Sequence, residues 1–138
     1  MSETRTALDL FADYQEKISE FLKFDELNLK DTQMSLPSVR HYWVGRMMHH
    51  KQEINKLKRL RASAYKKVQQ KIEQDSPVNL THKTLSDSVN SHEIIQKIDE
   101  EIINNELLVE YLSKVEMNFR DAQYGLNNLT KIITLETT

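Results

Sequence analysis

The sequence is poor in turn-forming residues and has no cysteine. Of its 138 residues only two are glycine, two are proline and ten are aromatic. Sandwiches and barrels need many tight turns, and nucleotide-binding α/β folds place glycines between strand and helix, so enzymes of these folds are excluded. Without cysteine there is no disulfide, no thiolate metal site and no cysteine nucleophile. The composition predicts an all-α chain forming a single helical domain over residues 1–138.

Long apolar runs are also missing. No stretch approaches the roughly 18 consecutive apolar residues that a membrane span needs, and no apolar segment of a signal peptide follows the first five residues. We therefore expect a cytoplasmic protein without a membrane partner.

The net charge of −2 is the result of a cancellation along the chain. Residues 40–71 contain ten Lys or Arg against the single acid Glu53, a balance of +9, whereas the segments before and after them are acidic. A basic block between acidic segments suggests a polyanionic partner for that block.

Hydrophobic periodicity divides the first half of the chain. Apolar residues at three- and four-residue steps predict an amphipathic helix over about 4–23. Residues 24–37 break this period and end in a proline, so they are predicted to be a connection. Residues 38–74 contain no proline and one glycine, which predicts a long basic helix with Ser38 as its N-cap.

The second half begins with a predicted polar linker over 75–90. Asn90 and Glu93 have the spacing of a capping box, so a C-terminal helix is predicted over 91–134. At about 1.5 Å per residue this helix is far longer than a compact domain is wide, so we expect a rod-like antiparallel hairpin of the two long helices.

A coiled-coil seam is the strongest pattern in the C-terminal helix. Steps of four and three residues connect Ile94, Ile98, Glu101, Asn105, Leu108, Leu112, Val115, Phe119, Ala122, Leu126, Leu129 and Ile133. Apolar residues outside the seam are predicted to form a second face for other protomers, and thus a homo-oligomer. They are Ile95, Ile102, Ile103, Leu107 and Val109.

Two polar residues, Glu101 and Asn105, interrupt the seam. In the expected register Arg61, on the apolar face of the basic helix, lies close to both, and such a buried polar set would fix the register. The alternative is that the Arg61 side chain extends to solvent.

Cations gather on the opposite face of the basic helix. Projected at 100° per residue, they form a strip without acids, which predicts salt-sensitive binding of nucleic acid. The candidate DNA-binding residues are Lys51, Lys56, Lys58, Arg59, Lys66 and Lys67. A face that is merely solvated, or is neutralised by acidic segments of another protomer, is the alternative.

Aromatic side chains next to the basic run could stack on bases. His41, Tyr42 and Trp43 stand where the basic block begins, and Tyr65 stands within it. For Trp43, packing in the core is the favoured prediction.

Catalytic and metal-binding patterns are missing. His49 and His50 are adjacent, so they point to different sides of a helix, and no acid stands three residues before any histidine. The run from Asp99 to Glu101 diverges in the same way, and no phosphate-binding loop is present. No catalytic residue, metal ion or cofactor is predicted, so we expect a protein that is not an enzyme.

From about residue 11 to 133 the order and spacing of several short segments resemble the UvsY-like recombination mediators of tailed phages. The segments are Tyr42-Trp43, Leu57-Lys58-Arg59-Leu60, Ala64-Tyr65-Lys66-Lys67, Ser91-His92-Glu93-Ile94-Ile95-Gln96-Lys97-Ile98, Val109-Glu110-Tyr111-Leu112 and Tyr124-Gly125-Leu126-Asn127-Asn128. Each segment is weak alone, and the resemblance depends on their order, spacing and total length.

The sequence departs from that family at two places. The family follows the lysine at the place of Lys66 with a second basic residue and a Tyr-Tyr pair, where this chain has Val68, Lys71 and Ile72. Only Lys66 matches a DNA-contacting residue of the family, with Lys67 as a stand-in. The family's Arg-Gly before the C-terminal aromatic is Ala122-Gln123 here.

The resemblance implies an accessory protein of DNA recombination, repair and replication. Such mediators form rings of six or seven chains, bind single-stranded DNA, loosen its complex with single-strand-binding protein and help a RecA-like recombinase to load. They work in the cytoplasm of the host cell. The alternative from the residues alone is a structural helical adaptor, or a prefoldin-like chaperone, that does not bind DNA.

Overall fold

The computed structural model describes residues 6–23 and 29–137, and every regular element in these ranges is an α-helix. The four helices are α1 (Ala7–Phe21), α2 (Leu29–Asp75), α3 (His82–Asn90) and α4 (Glu93–Thr137). The prediction of an all-α chain, in which an N-terminal helix precedes two long helices, is confirmed. Residues 4 and 5 of the predicted first helix, and residues 24–28 of the predicted connection, lie outside the described residues.

Helix α1 begins at a capping box that the sequence analysis did not identify. The Thr6 hydroxyl accepts a hydrogen bond from the Asp9 backbone N–H (3.2 Å), and the Asp9 carboxylate accepts one from the Thr6 N–H (3.3 Å). These bonds satisfy N–H groups that have no partner inside the helix. The described helix therefore begins at Ala7, after Thr6 as its N-cap.

Helix α2 begins nine residues earlier than predicted. Residues 29–37 are helical, so the predicted connection is wrong over this range and Ser38 is inside the helix, not its N-cap. Pro37 lacks the N–H that would donate to the Gln33 carbonyl, which was the reason to expect a break. Leu36, next to it, is only 3 % exposed, and burial of this side chain in the core favours the helix on both sides of the proline.

The predicted polar linker contains the short helix α3. The Thr81 hydroxyl caps it by accepting a hydrogen bond from the Thr84 N–H (3.2 Å), and Leu85 and Val89 are buried. The prediction that Asn90 starts a capping box with Glu93 is wrong. Helix α4 begins at Glu93, and the His92 ring accepts a hydrogen bond from the Ile94 N–H (3.2 Å).

The chain divides into two compact units. Unit 1 consists of residues 1–49 and 108–138, and unit 2 of residues 50–107. That residues 1–138 act as one domain stays a prediction.

Unit 1 is built around the first part of α2 and the last part of α4, which run antiparallel. Arg40 pairs with Glu116 (2.5 Å) and Gln33 donates to Thr130 (3.0 Å). The buried core of this unit has contributions from α1, α2 and α4. Its residues are Tyr14, Ile18, Leu36, Trp43, Leu108, Leu112, Val115, Phe119 and Leu126.

Unit 2 contains the rest of the two long helices, also antiparallel, together with α3. One buried cluster joins Val68 of α2 to Leu85 and Val89 of α3 and to Ile95 of α4. Further buried residues are Ile54, Leu57, Ile98 and Ile102.

The predicted seam of α4 is correct in its central part and wrong at its beginning. Ile95 and Ile102 are buried, whereas Ile94 is 51 % exposed and Glu101 is exposed. The buried face is rotated there because α3 is a second packing partner for this part of the helix. Ile95 and Ile102 therefore serve the chain's own core, which contradicts their prediction as a face for other protomers. Val109 is half-buried, and only Ile103 and Leu107 of that predicted set are exposed.

Candidate nucleic-acid interface

The six candidate DNA-binding residues lie on the solvent-exposed side of α2 in unit 2. This set, named the basic strip, consists of Lys51, Lys56, Lys58, Arg59, Lys66 and Lys67, and all six are exposed. Among the described residues none of them forms an ion pair with a carboxylate. The only acid of α2 between the ends of the strip is Glu53, which is half-buried. Six positive charges thus face solvent without an ion-pair partner among the described residues.

Packing of the opposite face sets the direction of the strip. Ile54, Leu57 and Val68 are 7–8 % exposed and hold one side of α2 against the rest of unit 2. Since successive helical residues are about 100° apart, the intervening lysines and Arg59 are turned towards solvent. The sixteen helical steps from Lys51 to Lys67 correspond to about 24 Å of helix. The strip is therefore long enough to contact several phosphates.

Arg61 is separate from the basic strip because its charge is paired. Its Nε donates to Asp99 Oδ1 (2.6 Å) and its Nη2 to Asp99 Oδ2 (3.3 Å). The hydrogen bonds from Arg61 to Asp99 raise the pKa of the Arg61 guanidinium above its ordinary value. The guanidinium also donates to Asn90 Oδ1 (3.1 Å) and lies 5.9 Å from the centre of the Tyr65 ring.

The predicted pairing of Arg61 with Asn105 is wrong. Asn105 instead contacts His50, with 3.1 Å between Asn105 Oδ1 and His50 Nδ1, and both residues are buried. The predicted register followed from the expected ends of the two long helices. Those ends are correct to within two residues, since α2 ends at Asp75 and α4 begins at Glu93, but α3 occupies most of the presumed linker, so the two long helices do not pair in the register of a direct hairpin.

Aromatic residues contribute little to this surface. Trp43 is 7 % exposed and packs edge-to-face on Tyr14 with 5.0 Å between ring centroids, so its predicted place in the core is confirmed. Tyr65 is half-buried and its hydroxyl donates to Ser86 Oγ (3.3 Å), so this ring is not free to stack on a base. His41 and Tyr42 are exposed but belong to unit 1. The strip therefore offers positive charge, not stacking surfaces.

Other kinds of site are not found in the part of the chain that the structure describes. No group of three His, Asp or Glu residues there could hold a metal ion. None of its helices is both long and apolar enough to cross a membrane.

Comparison with solved structures identifies the fold. The chain is similar to crystal structures of the bacteriophage T4 recombination mediator protein UvsY. In one lattice the TM-score is 0.78 at 12 % sequence identity, covering 99 % of this chain and 100 % of UvsY. In two others it is 0.77 and 0.70 at 13 % identity, covering 91 % and 92 % of this chain and 97 % of UvsY. The likeness predicted from the sequence is thus confirmed for the fold.

Comparison of the sequence alone does not identify a family. No protein-family model matches the chain, and a search of curated proteins finds no match.

Proposed function

We propose that this protein is a recombination mediator that binds single-stranded DNA through the basic strip and is not an enzyme. It would help a RecA-like recombinase to load onto DNA covered by single-strand-binding protein, in recombination, repair and replication. The fold of UvsY supports the class of function. The observation that carries the DNA-binding part is the row of six exposed, unpaired cations on α2.

The chemistry of the strip favours phosphates as ligands. Lysine side chains act as flexible point charges, and no stacking ring is free among them. Binding of this kind is largely independent of sequence and falls steeply as salt displaces the protein from the phosphates.

We further propose that the protein acts as a ring of six or seven copies in the cytoplasm. Each copy adds one basic strip, so a single strand of DNA meets several weak sites at high effective concentration. A modest affinity for each strip is then sufficient for tight binding by the assembly.

Fluorescence anisotropy of a labelled single-stranded oligonucleotide at low salt tests the DNA-binding part. Wild-type protein is expected to bind, and Lys58→Ala with Lys66→Ala is expected to weaken binding about equally for different base sequences. The matched control is Lys97→Ala with Lys114→Ala. It removes the same charge from exposed lysines on α4, which pair with Glu93 (3.1 Å) and Glu110 (3.3 Å). This control is expected to bind almost as wild type does.

Two outcomes would count against the proposal. Absence of binding by wild-type protein at low salt would refute DNA binding and favour the structural adaptor. Equal weakening by the strip variant and the α4 control would mean that net charge, and not the strip, governs binding. The mediator step is tested separately, by measuring whether the protein shortens the lag of recombinase filament assembly on DNA covered by single-strand-binding protein.

A further inference from the structure

Helix α4 has an exposed face in unit 2 that combines aliphatic side chains with negative charge. This acidic face consists of Glu100, Ile103, Glu106 and Leu107. Ile103 is 55 % and Leu107 is 53 % exposed, and both glutamates are exposed. The face points away from the core because Ile98 and Ile102 turn the opposite side of the helix inwards.

The two glutamates of the acidic face lack cationic partners. Two other acids of this part of α4 are paired, since Glu93 binds Lys97 and Asp99 binds Arg61. In the described part of the chain neither Glu100 nor Glu106 forms an ion pair, and residues 98–113 contain no Lys or Arg.

Leu60 and the basic strip together have the complementary pattern, with an aliphatic side chain beside positive charges. Leu60 is 54 % exposed, and it stands on the same side of α2 as Lys56, four residues before it, and Lys67, seven residues after it. An aliphatic centre with positive flanks thus exists on one helix of unit 2, and an aliphatic centre with negative flanks on another. Helix pairs in coiled coils use the same combination, with apolar side chains in the seam and opposite charges beside it.

The two faces can meet only between copies of the chain. Within one copy both are exposed, so neither covers the other. The partner surface that fits the acidic face in aliphatic content and in charge is therefore the basic strip of a second copy. Such a contact is either reciprocal between two copies or head-to-tail, and in the second case it can continue from copy to copy.

We propose that, in the absence of DNA, the acidic face of one copy docks on the basic strip of another, and that single-stranded DNA competes with this contact. The competition rests on the proposed function, since it requires the strip to be the DNA site. The docking itself requires only the two faces. The acidic face would then keep the strips covered until a polyanion of higher charge density displaces it.

Neutralising the acidic face tests the docking. In Glu100→Gln with Glu106→Gln, side-chain size is kept and two charges are lost. Sedimentation at low salt without DNA is expected to show the association midpoint at about fivefold higher protein concentration, as expected for the loss of two surface ion pairs. The matched control is Glu16→Gln with Glu20→Gln on α1, where both glutamates are exposed. It changes the net charge equally and is expected to associate as wild type does.

Charge reversal provides a second test that does not depend on a loss of association. Protein with Glu100→Lys and Glu106→Lys is mixed with protein in which Lys56→Glu and Lys67→Glu have been introduced. Each variant alone is expected to associate less than wild type does, and the mixture is expected to recover association. Circular dichroism of each variant first establishes that its helices are intact.

The DNA measurement separates the docking from the proposed function. At micromolar protein concentration the Glu100→Gln, Glu106→Gln variant is expected to bind the oligonucleotide severalfold more tightly than wild type, because its strips are uncovered. Unchanged association together with no recovery in the mixture would overturn the docking, even if the protein binds DNA. Altered association without any DNA binding by wild-type protein would refute the proposed function and the competition while leaving the docking in place.

Discussion

His50 and Asn105 form a hydrogen bond in the interior of unit 2, with 3.1 Å between His50 Nδ1 and Asn105 Oδ1. The Asn105 amide nitrogen donates to the Glu101 carbonyl (2.9 Å), so its oxygen faces the imidazole and His50 Nδ1 is the donor. Both residues are at most 7 % exposed. A buried polar pair of this kind fixes the register of two helices, because a shift along either helix would break the hydrogen bond between them.

Removing both members of the pair is expected to destabilise the protein by less than the two single removals together. His50→Leu or Asn105→Leu alone should lower the free energy of unfolding by about 1–3 kcal/mol, because the remaining polar group stays buried without its partner. The double variant should lose less than the sum of the two. Chemical denaturation of the four proteins measures the coupling, and additive losses would show that the hydrogen bond does not matter for stability.

Gly45 is a position where a substitution is expected to stabilise the protein. It lies within α2 without a positive φ, and a Cβ placed on it would meet nothing within 4 Å. Gly45→Ala should therefore raise the free energy of unfolding by about 1 kcal/mol, since glycine in a helix has more backbone freedom to lose on folding.

The reverse substitution at another exposed position of α2, Ala62→Gly, is the control and should lower stability by a similar amount. Thermal unfolding followed by circular dichroism measures both. A loss of stability in Gly45→Ala would reveal that another chain packs closely at this glycine.

Pro37 is expected to weaken the helix that contains it. Pro37→Ala restores an N–H that can donate to the Gln33 carbonyl, and the exposed proline ring contributes no burial. After allowance for the stiffer unfolded chain of the proline form, the gain should be about 2 kcal/mol. Pro77, which lies between α2 and α3, is the matched control, and Pro77→Ala should give no gain. Equal effects of the two substitutions in denaturant unfolding would contradict this reasoning.

Tyr111 makes stability depend on alkaline pH. Burial raises the pKa of its hydroxyl, and the ring packs against Phe11 with 4.9 Å between centroids. The folded state then holds the phenolic proton more tightly than the unfolded state. Its contribution is complete below the unfolded pKa of about 10 and is lost as pH rises above that value.

The comparison of wild type with Tyr111→Phe isolates this effect from other groups that titrate at high pH. Between about pH 9 and 11 wild type should lose more stability than Tyr111→Phe does. Urea unfolding at several pH values measures the difference, and parallel curves would show that the hydroxyl titrates alike in both states.

The salt dependence of DNA binding gives a quantitative prediction for the basic strip. Each phosphate contact on single-stranded DNA contributes about 0.7 to the slope of log affinity against log salt concentration. Lys58→Ala with Lys66→Ala should flatten the slope by about 1.4 if each lysine contacts one phosphate. Anisotropy titrations at four or five salt concentrations give the slope. An unchanged slope in this variant would show that neither lysine contacts the DNA.

Helical periodicity predicted the two long helices well but not where α2 begins. Apolar residues do not recur at helical spacing in the segment that ends at Pro37. Residues 29–37 therefore look like a connection when only the local sequence pattern is considered. Burial of Leu36 in unit 1 outweighs the missing hydrogen bond there. The start of α4 was predicted to within two residues, but the role given to Asn90 was wrong, because Asn90 ends α3 and binds Arg61.

The sequence by itself determined that this chain is helical and where its positive charge is displayed. Both properties depend on residue type and spacing along one helix, so the exposure of Lys58 and Lys66 could be predicted from the buried positions of Leu57 and Val68. The tertiary structure alone decided which polar groups meet. Asn105 binds His50, and Arg61 binds Asp99, because the register of α2 against α4 depends on the packing of α3 between the two long helices in the chain. Contacts between residues distant in the chain are set by such packing, and periodicity within one helix carries no information about it.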